Sequence, residues 1–281
     1  MAKLIVWNLQ ECMRTEPIND ITQYEELINK YRQKGCLCND YLQNRVADIV
    51  DAGKLYMACG DLNAFLFEQK AKCLRLYYYI NSQDETFDFS EQSPIVTEII
   101  YRGEKFFPQN EVEYFEKCDF QKNLIRDQYA SLYKDLVPSQ EIKNILVRKA
   151  ITEEEVAWAC NLFNYIFDVY SGDYIEETEI DELFANQAIL IAEDLDGNKL
   201  GALHQTVDHN TAWISHVAVL PEARGKHVGQ ELLDFFVEIN HKDEKSRYML
   251  WVQKQNNAAV TMYQNKGFKY INKSTLSMIL K

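Results

Sequence analysis

Six consecutive residues late in the chain, Arg224–Gly225–Lys226–His227–Val228–Gly229, have the types and spacing to hold an anion. A β-branched run ends before them at Pro221, and an apolar pattern of helical spacing, VGQELLDFFVEIN, starts among them. A strand-to-helix loop of this kind presents successive backbone N–H groups at the positive end of a helix dipole. Glycine lets the backbone approach an anion closely, and Arg224 and Lys226 add positive charge. The chemistry indicated is pyrophosphate binding. Neither the dinucleotide spacing G-x-G-x-x-G nor the phosphate-loop spacing G-x-x-x-x-G-K-[ST] is present. Taken alone, the loop is equally a turn that needs glycine. Farther on, Tyr263 lies in a helical pattern opened by Asn256. By itself it reads as a core aromatic. His204 and His216, on strand patterns, are the side chains with a pKa suited to a general base.

The surrounding pattern supplies elements to position these groups. NILVRKA reads as a strand, TEEEVAWACNLFNYIF as a helix with Thr152 as N-cap and Glu155 as capping-box partner, and ETEIDELFAN as a second helix with Thr178 near its start. Three strand-like runs come next: AILIAED, GALHQTVD and TAWISHVAVL. Short turns at Asp196–Gly197–Asn198 and His209–Asn210 separate them, as in an antiparallel meander. After the helix behind the loop come a strand, YMLWVQ, a helix, NAAVTMYQNKG, and a last strand, STLSMIL. The order β-α-α-β-β-β-α-β-α-β makes a mixed α/β sheet. Alternation along TAWISHVAV puts Trp213, Ser215 and Val217 on one face and Ile214, His216 and Ala218 on the other.

The first half echoes this order. DITQYEELINKYRQKG and YLQNRVADIVDAG read as helices, then LYMAC, AFLFEQ, CLRLYYYIN and PIVTEIIYRG as strands, NEVEYFEKC as a helix and FQKNLIRDQYA as a strand. Phe115–Phe120, FEKCDF, lines up with Tyr263–Phe268, YQNKGF. Only NSQDETFDFSEQS stands where the second half has its loop and helix. The reading is a degenerate copy of one fold, with an unrelated α+β domain as the alternative. Leu136–Val137–Pro138–Ser139–Gln140 is the boundary, which gives domains at residues 1–140 and 141–281.

The second half resembles the GNAT acetyltransferase superfamily. Val217, Val219, Pro221, Arg224, His227 and Gly229 follow its cofactor signature, and Asn256, Ala259, Tyr263, Gly267 and Phe268 its second signature. The resemblance implies the GNAT fold in the second half, a degenerate GNAT-like first half, and acetyl-CoA as donor. Its cofactor contacts fall on Val217, Ala218, Val219, Arg224, Gly225, Lys226, His227, Val228, Gly229, Gln230, Asn256, Ala259 and Tyr263. It implies a cleft where TAWISHVAV splays from YMLWVQ, with pantetheine bonding along the exposed strand. It assigns the Val217 N–H to the thioester carbonyl and Tyr263 to the leaving thiolate. One departure is His227, where the family has Gly; it can present its N–H if its φ is negative. At the family's base position stands Trp213, which cannot serve. The implied function is N-acetyl transfer to a primary amine of a small molecule or peptide by direct attack in a ternary complex. The alternative is a non-catalytic acyl-CoA-sensing module with a partner-binding first half.

The bulk numbers are compatible. The chain has 281 residues, 47% hydrophobic and 26% charged, as soluble globular proteins do. No apolar run approaches the roughly 20 residues that span a bilayer, and the start lacks a signal peptide's apolar core, so the expected location is the cytoplasm. A net charge of −13 argues against nucleic acid and anionic membrane as partners. It suits an amine acceptor, cationic if the acidic residues Asp168, Asp173, Glu176 and Glu177, in and directly before VYSGDYIEETE, meet it. Seven cysteines without an export signal read as free thiols, and the C-x-C at Cys36 and Cys38 has no partner pair for zinc, so no metal is expected. A homodimer is allowed.

Overall fold

Aromatic and β-branched runs make the strands of the first half, and a polar cap sets the start of its first helix. The computed structural model describes residues 15–39, 42, 45–90, 94–138, 144–170 and 174–281. In chain order these give β1 (Glu16–Pro17), α1 (Ile21–Tyr31), β2 (Leu37–Cys38), α2 (Val46–Asp51), β3 (Leu55–Cys59), β4 (Ala64–Gln69), β5 (Leu74–Ile80), β6 (Ile95–Tyr101), α3 (Gln109–Lys117) and β7 (Gln121–Leu132). Asp20 starts α1, its Oδ1 accepting the N–H groups of Thr22 (2.8 Å) and Gln23 (3.1 Å). β3, β4 and β5 form an antiparallel meander, and β6 joins β5 in parallel. The described part of the segment after β5, residues 81–90, holds no α-helix. Instead, Phe87 and Phe89 meet Phe65 of β4 edge-on at 5.1 and 5.2 Å.

The second half continues with β8 (Leu146–Lys149), α4 (Glu153–Ile166), α5 (Ile180–Ala185), β9 (Ile189–Glu193), β10 (Lys199–Asp208), β11 (Thr211–Val219), α6 (Val228–Lys242), β12 (Arg247–Gln253), α7 (Asn257–Lys266) and β13 (Lys269–Leu280). Thr152 caps α4 by accepting the Glu155 N–H at 3.3 Å, as its position suggests. The Glu155 carboxylate does not close the box onto Thr152. It takes the Ile151 N–H at 2.9 Å and a two-pronged bond from Arg148 (2.6 and 2.8 Å), which also grips Glu193 of β9. This network ties α4 to the strands beneath it.

β8, β9, β10 and β11 run antiparallel in sequence, and β12 lies parallel to β11. The β10–β11 register steps from His204↔His216 to Gln205↔Ile214, so Ser215 is a bulge. A single extra residue flips the faces of the residues beyond it. The strict alternation expected for β11 therefore fails. Ile214 packs in the α6-side core with Val217 and Val219, whereas Ala218 joins the α4-side core.

Two compact units emerge, residues 1–124 with 275–281, and residues 125–274. Their limits differ from the sequence boundary at 140/141, because most of β7 belongs to the second unit and the end of β13 to the first. Residues 139–143, around that boundary, lie outside the described residues, as do Cys12 and Asp173. The cysteines among the described residues are free thiols.

Candidate functional site

The anion loop takes its shape from two left-handed residues. Gly225 has φ 76° and His227 φ 64°. Such residues are the backbone habit of anion-cradling nests. At Gly225 no side chain is burdened by it. His227, the residue directly before α6, adopts the conformation although it carries a Cβ. His227 therefore does not take the negative φ that would let it present its N–H as an ordinary residue, and the chain enters α6 as a glycine would. Its imidazole is exposed, as are Arg224 and Lys226. At Gly229 an added Cβ would stand 3.2 Å from Met262 Sδ of α7, so glycine there lets the two helices approach.

Beside the loop the sheet opens. β11 and β12 pair from Thr211↔Arg247 to Ile214↔Leu250 and no farther, although both strands continue. The gap begins at the bulge. Val217 and Val219 face it from the α6 side, and Asn256 opens α7 across it by accepting the Ala259 N–H at 3.2 Å.

Loop, splayed strand and α7 enclose a cleft of about 700 Å³. Of the residues singled out in the sequence, Val217, Val219, Arg224, Gly225, His227, Val228, Gly229, Gln230, Asn256, Ala259 and Tyr263 line it. Ala218 and Lys226 do not: Ala218 turns into the α4 core and Lys226 into solvent. Exposed backbone, a cationic rim and apolar lining side chains are a donor set that fits an elongated ligand carrying phosphate.

Tyr263 is buried (6% exposed) and meets Phe268 at 5.9 Å. Burial pushes its phenol well above the ordinary range, so it stays protonated at any working pH. Two residues escaped the sequence reading. Asp234 of α6 and Lys266 of α7, both nine-tenths buried, form an ion pair of 2.5 Å in the cleft wall. Asp234 is the cleft's one carboxylate among the described residues. Nothing in local spacing signals the pair, since its members sit on different helices.

The two candidate bases lie elsewhere. His204 and His216 are buried together on the α4 side, Nδ1 to Nδ1 at 3.1 Å, and Phe163 and Phe167 hold the His216 ring. Burial, and then His216, push His204 down to about 3, so it is neutral. Neither ring lines the cleft. Among the described residues no cluster could hold a metal, and no helix is long and apolar enough to cross a membrane.

Residues 185–270 match the family model described as "Acetyltransferase (GNAT) domain". That range contains the loop, β11, β12 and α7. No curated protein matches the chain. Among solved structures, a glucosamine N-acetyltransferase region of a fungal multi-domain β-N-acetylglucosaminidase is similar in fold. Its TM-score is 0.66 at 13% identity, covering 95% of this chain and 38% of that one. A tandem GNAT protein from the clavulanic acid biosynthesis pathway gives 0.57 at 9% identity, covering 95% and 98%. A GCN5-related N-acetyltransferase from Sphaerobacter thermophilus gives 0.55 at 14% identity, covering 82% and 78%.

Proposed function

We propose that this chain, a GNAT-superfamily protein by its domain at residues 185–270, moves an acetyl group from acetyl-CoA to a primary amine of a small molecule or peptide. The observation that carries the reading is the single cleft joining the loop at 224–229, the open strand at Val217 and Val219, and the Tyr263 phenol.

In this reading the loop backbone and Arg224 hold the pyrophosphate, and Val219 bonds the pantetheine amides. The Val217 N–H polarises the thioester carbonyl as an oxyanion donor. The free amine attacks in a ternary complex. The C–N bond forms, the C–S bond breaks, and the proton lost by nitrogen balances the one gained by the thiol. Tyr263 hydrogen-bonds the departing sulfur. Its raised pKa makes full transfer of its proton uphill to a thiolate whose acid has a pKa near 8.5. Stabilisation of developing charge is therefore its main part. The base is solvent: the histidine pair is outside the cleft and Asp234 is bound to Lys266. Asp168, Glu176 and Glu177 beyond α4 favour an acceptor with positive charge.

The test is release of CoA thiol from acetyl-CoA in the presence of a panel of amines, amino acids and peptides. Thiol release that depends on an amine, with the N-acetyl product seen by mass spectrometry, is expected. Absence of acylation across the panel by a protein that binds acetyl-CoA would refute catalysis.

A further inference from the structure

The first half contains a second splay, and it is filled. β5 and β6 pair from Leu74↔Ile95 to Leu76↔Thr97, then diverge while both strands run on. Into this gap the chain inserts its own segment. β2 pairs antiparallel with the far end of β5, Leu37↔Ile80 and Cys38↔Tyr79. The next residue, Asn39, is 5% exposed and spans the fork. Its carboxamide oxygen accepts the Tyr78 N–H at 2.9 Å. Its nitrogen donates to Glu98 O at 2.9 Å and Thr97 Oγ1 at 3.0 Å, with a longer approach to Leu76 O at 3.5 Å. A buried side chain satisfied on both strands is a firm occupant.

The two forks correspond residue by residue. Leu76 is the last residue of β5 paired with β6, and Ile214 the last of β11 paired with β12. Passing over the bulged Ser215, Tyr78 falls at the place of Val217. Tyr78 N–H thus holds an amide carbonyl where Val217 N–H, in the proposed function, holds the thioester carbonyl. The helix ends agree as well: Phe120 N–H bonds Phe115 O at 2.9 Å, as Phe268 N–H bonds Tyr263 O at 3.0 Å.

We propose that the first half is a self-liganded copy of the acyl slot, in which Leu37–Asn39 takes the place of an extended amide-bearing ligand, so that this half takes up no acyl-CoA. The correspondence with Val217 rests on the proposed function; the occupancy of the first fork does not.

Hydrogen exchange on the full-length protein tests it, read by mass spectrometry with and without saturating acetyl-CoA. Without ligand, residues 77–80 should exchange as slowly as the paired amides of β4, and acetyl-CoA should leave them unchanged while slowing residues 215–219. In Asn39→Gly, exchange at 77–80 should accelerate at least about tenfold. Slow exchange at 77–80 that appears only with acetyl-CoA would overturn the proposal, and so would an Asn39→Gly protein with unchanged exchange there. Should Asn39→Gly fail to fold, the wild-type arm decides alone. If acetyl-CoA slows neither segment, the reading of the second half fails, and the protection of 77–80 without ligand still decides this one.

Discussion

His227 is conspicuous in the sequence because the matching signature has glycine there, but its type does not reveal its backbone. The structure shows a left-handed residue, φ 64°, at the mouth of the anion loop. A non-glycine residue there costs roughly 1 kcal/mol. His227→Gly should raise stability by up to about 1 kcal/mol in urea unfolding. It should also tighten acetyl-CoA binding a few-fold; weaker binding would mean that the imidazole itself contacts the ligand. At Tyr263 the raised pKa favours hydrogen bonding over full proton transfer. Tyr263→Phe should therefore lower turnover by about 10²-fold, the low end of the range for acid catalysis, with the acetyl-CoA dissociation constant nearly unchanged. Turnover at the wild-type rate, with chemistry limiting, would make Tyr263 a core aromatic. Loop and tyrosine are legible in the sequence because their signals are local. Asp234 and Lys266 are not, because their meeting depends on how two helices pack.

Among the elements, the meander, the helices and most strand limits are readable from periodicity and caps. The bulge at Ser215 is not, since TAWISHVAV alternates without interruption and only the partner strand reveals the shift. The bulge is what puts Val217 and Val219 on the cleft side and moves His216 to the α4 side. The Thr152 cap is legible, whereas the long-range grip of Arg148 on Glu155 is not. Arg148 holds the Glu155 carboxyl down at about 2, against an ordinary value of 4.5. A depressed pKa gives stability that is fully present above the unfolded value, near 4.5, and fades as pH falls toward 2. Glu155→Gln should destabilise the protein by about 2 kcal/mol at pH 7. The difference from wild type should shrink steadily between those two pH values in urea titrations. A gap that persists at the acid end would assign the loss to packing.

At the scale of the molecule, the repeat of element order is visible in the sequence, and so is the absence of an α-helix among the described residues between β5 and β6. The exchange of strand ends is not, since composition does not change at residues 124 and 274, where the compact units divide. Nor is the use of Asn39 as an internal ligand, because an asparagine after a C-x-C carries no signature of its own. The two forks differ in what fills them: that between β5 and β6 is closed by its own chain, and that between β11 and β12 is open beside the loop at residues 224–229. Acyl donor binding at that open fork is the central claim. The measurement is calorimetric titration of the full chain with acetyl-CoA, in the wild type and in Gly225→Val, where a β-branched residue must bear φ 76°. One site per chain is predicted, weakened at least about tenfold by a substitution that disturbs the loop backbone while the protein stays folded. Two sites of similar affinity, no binding, or undiminished affinity in a folded Gly225→Val protein would contradict it.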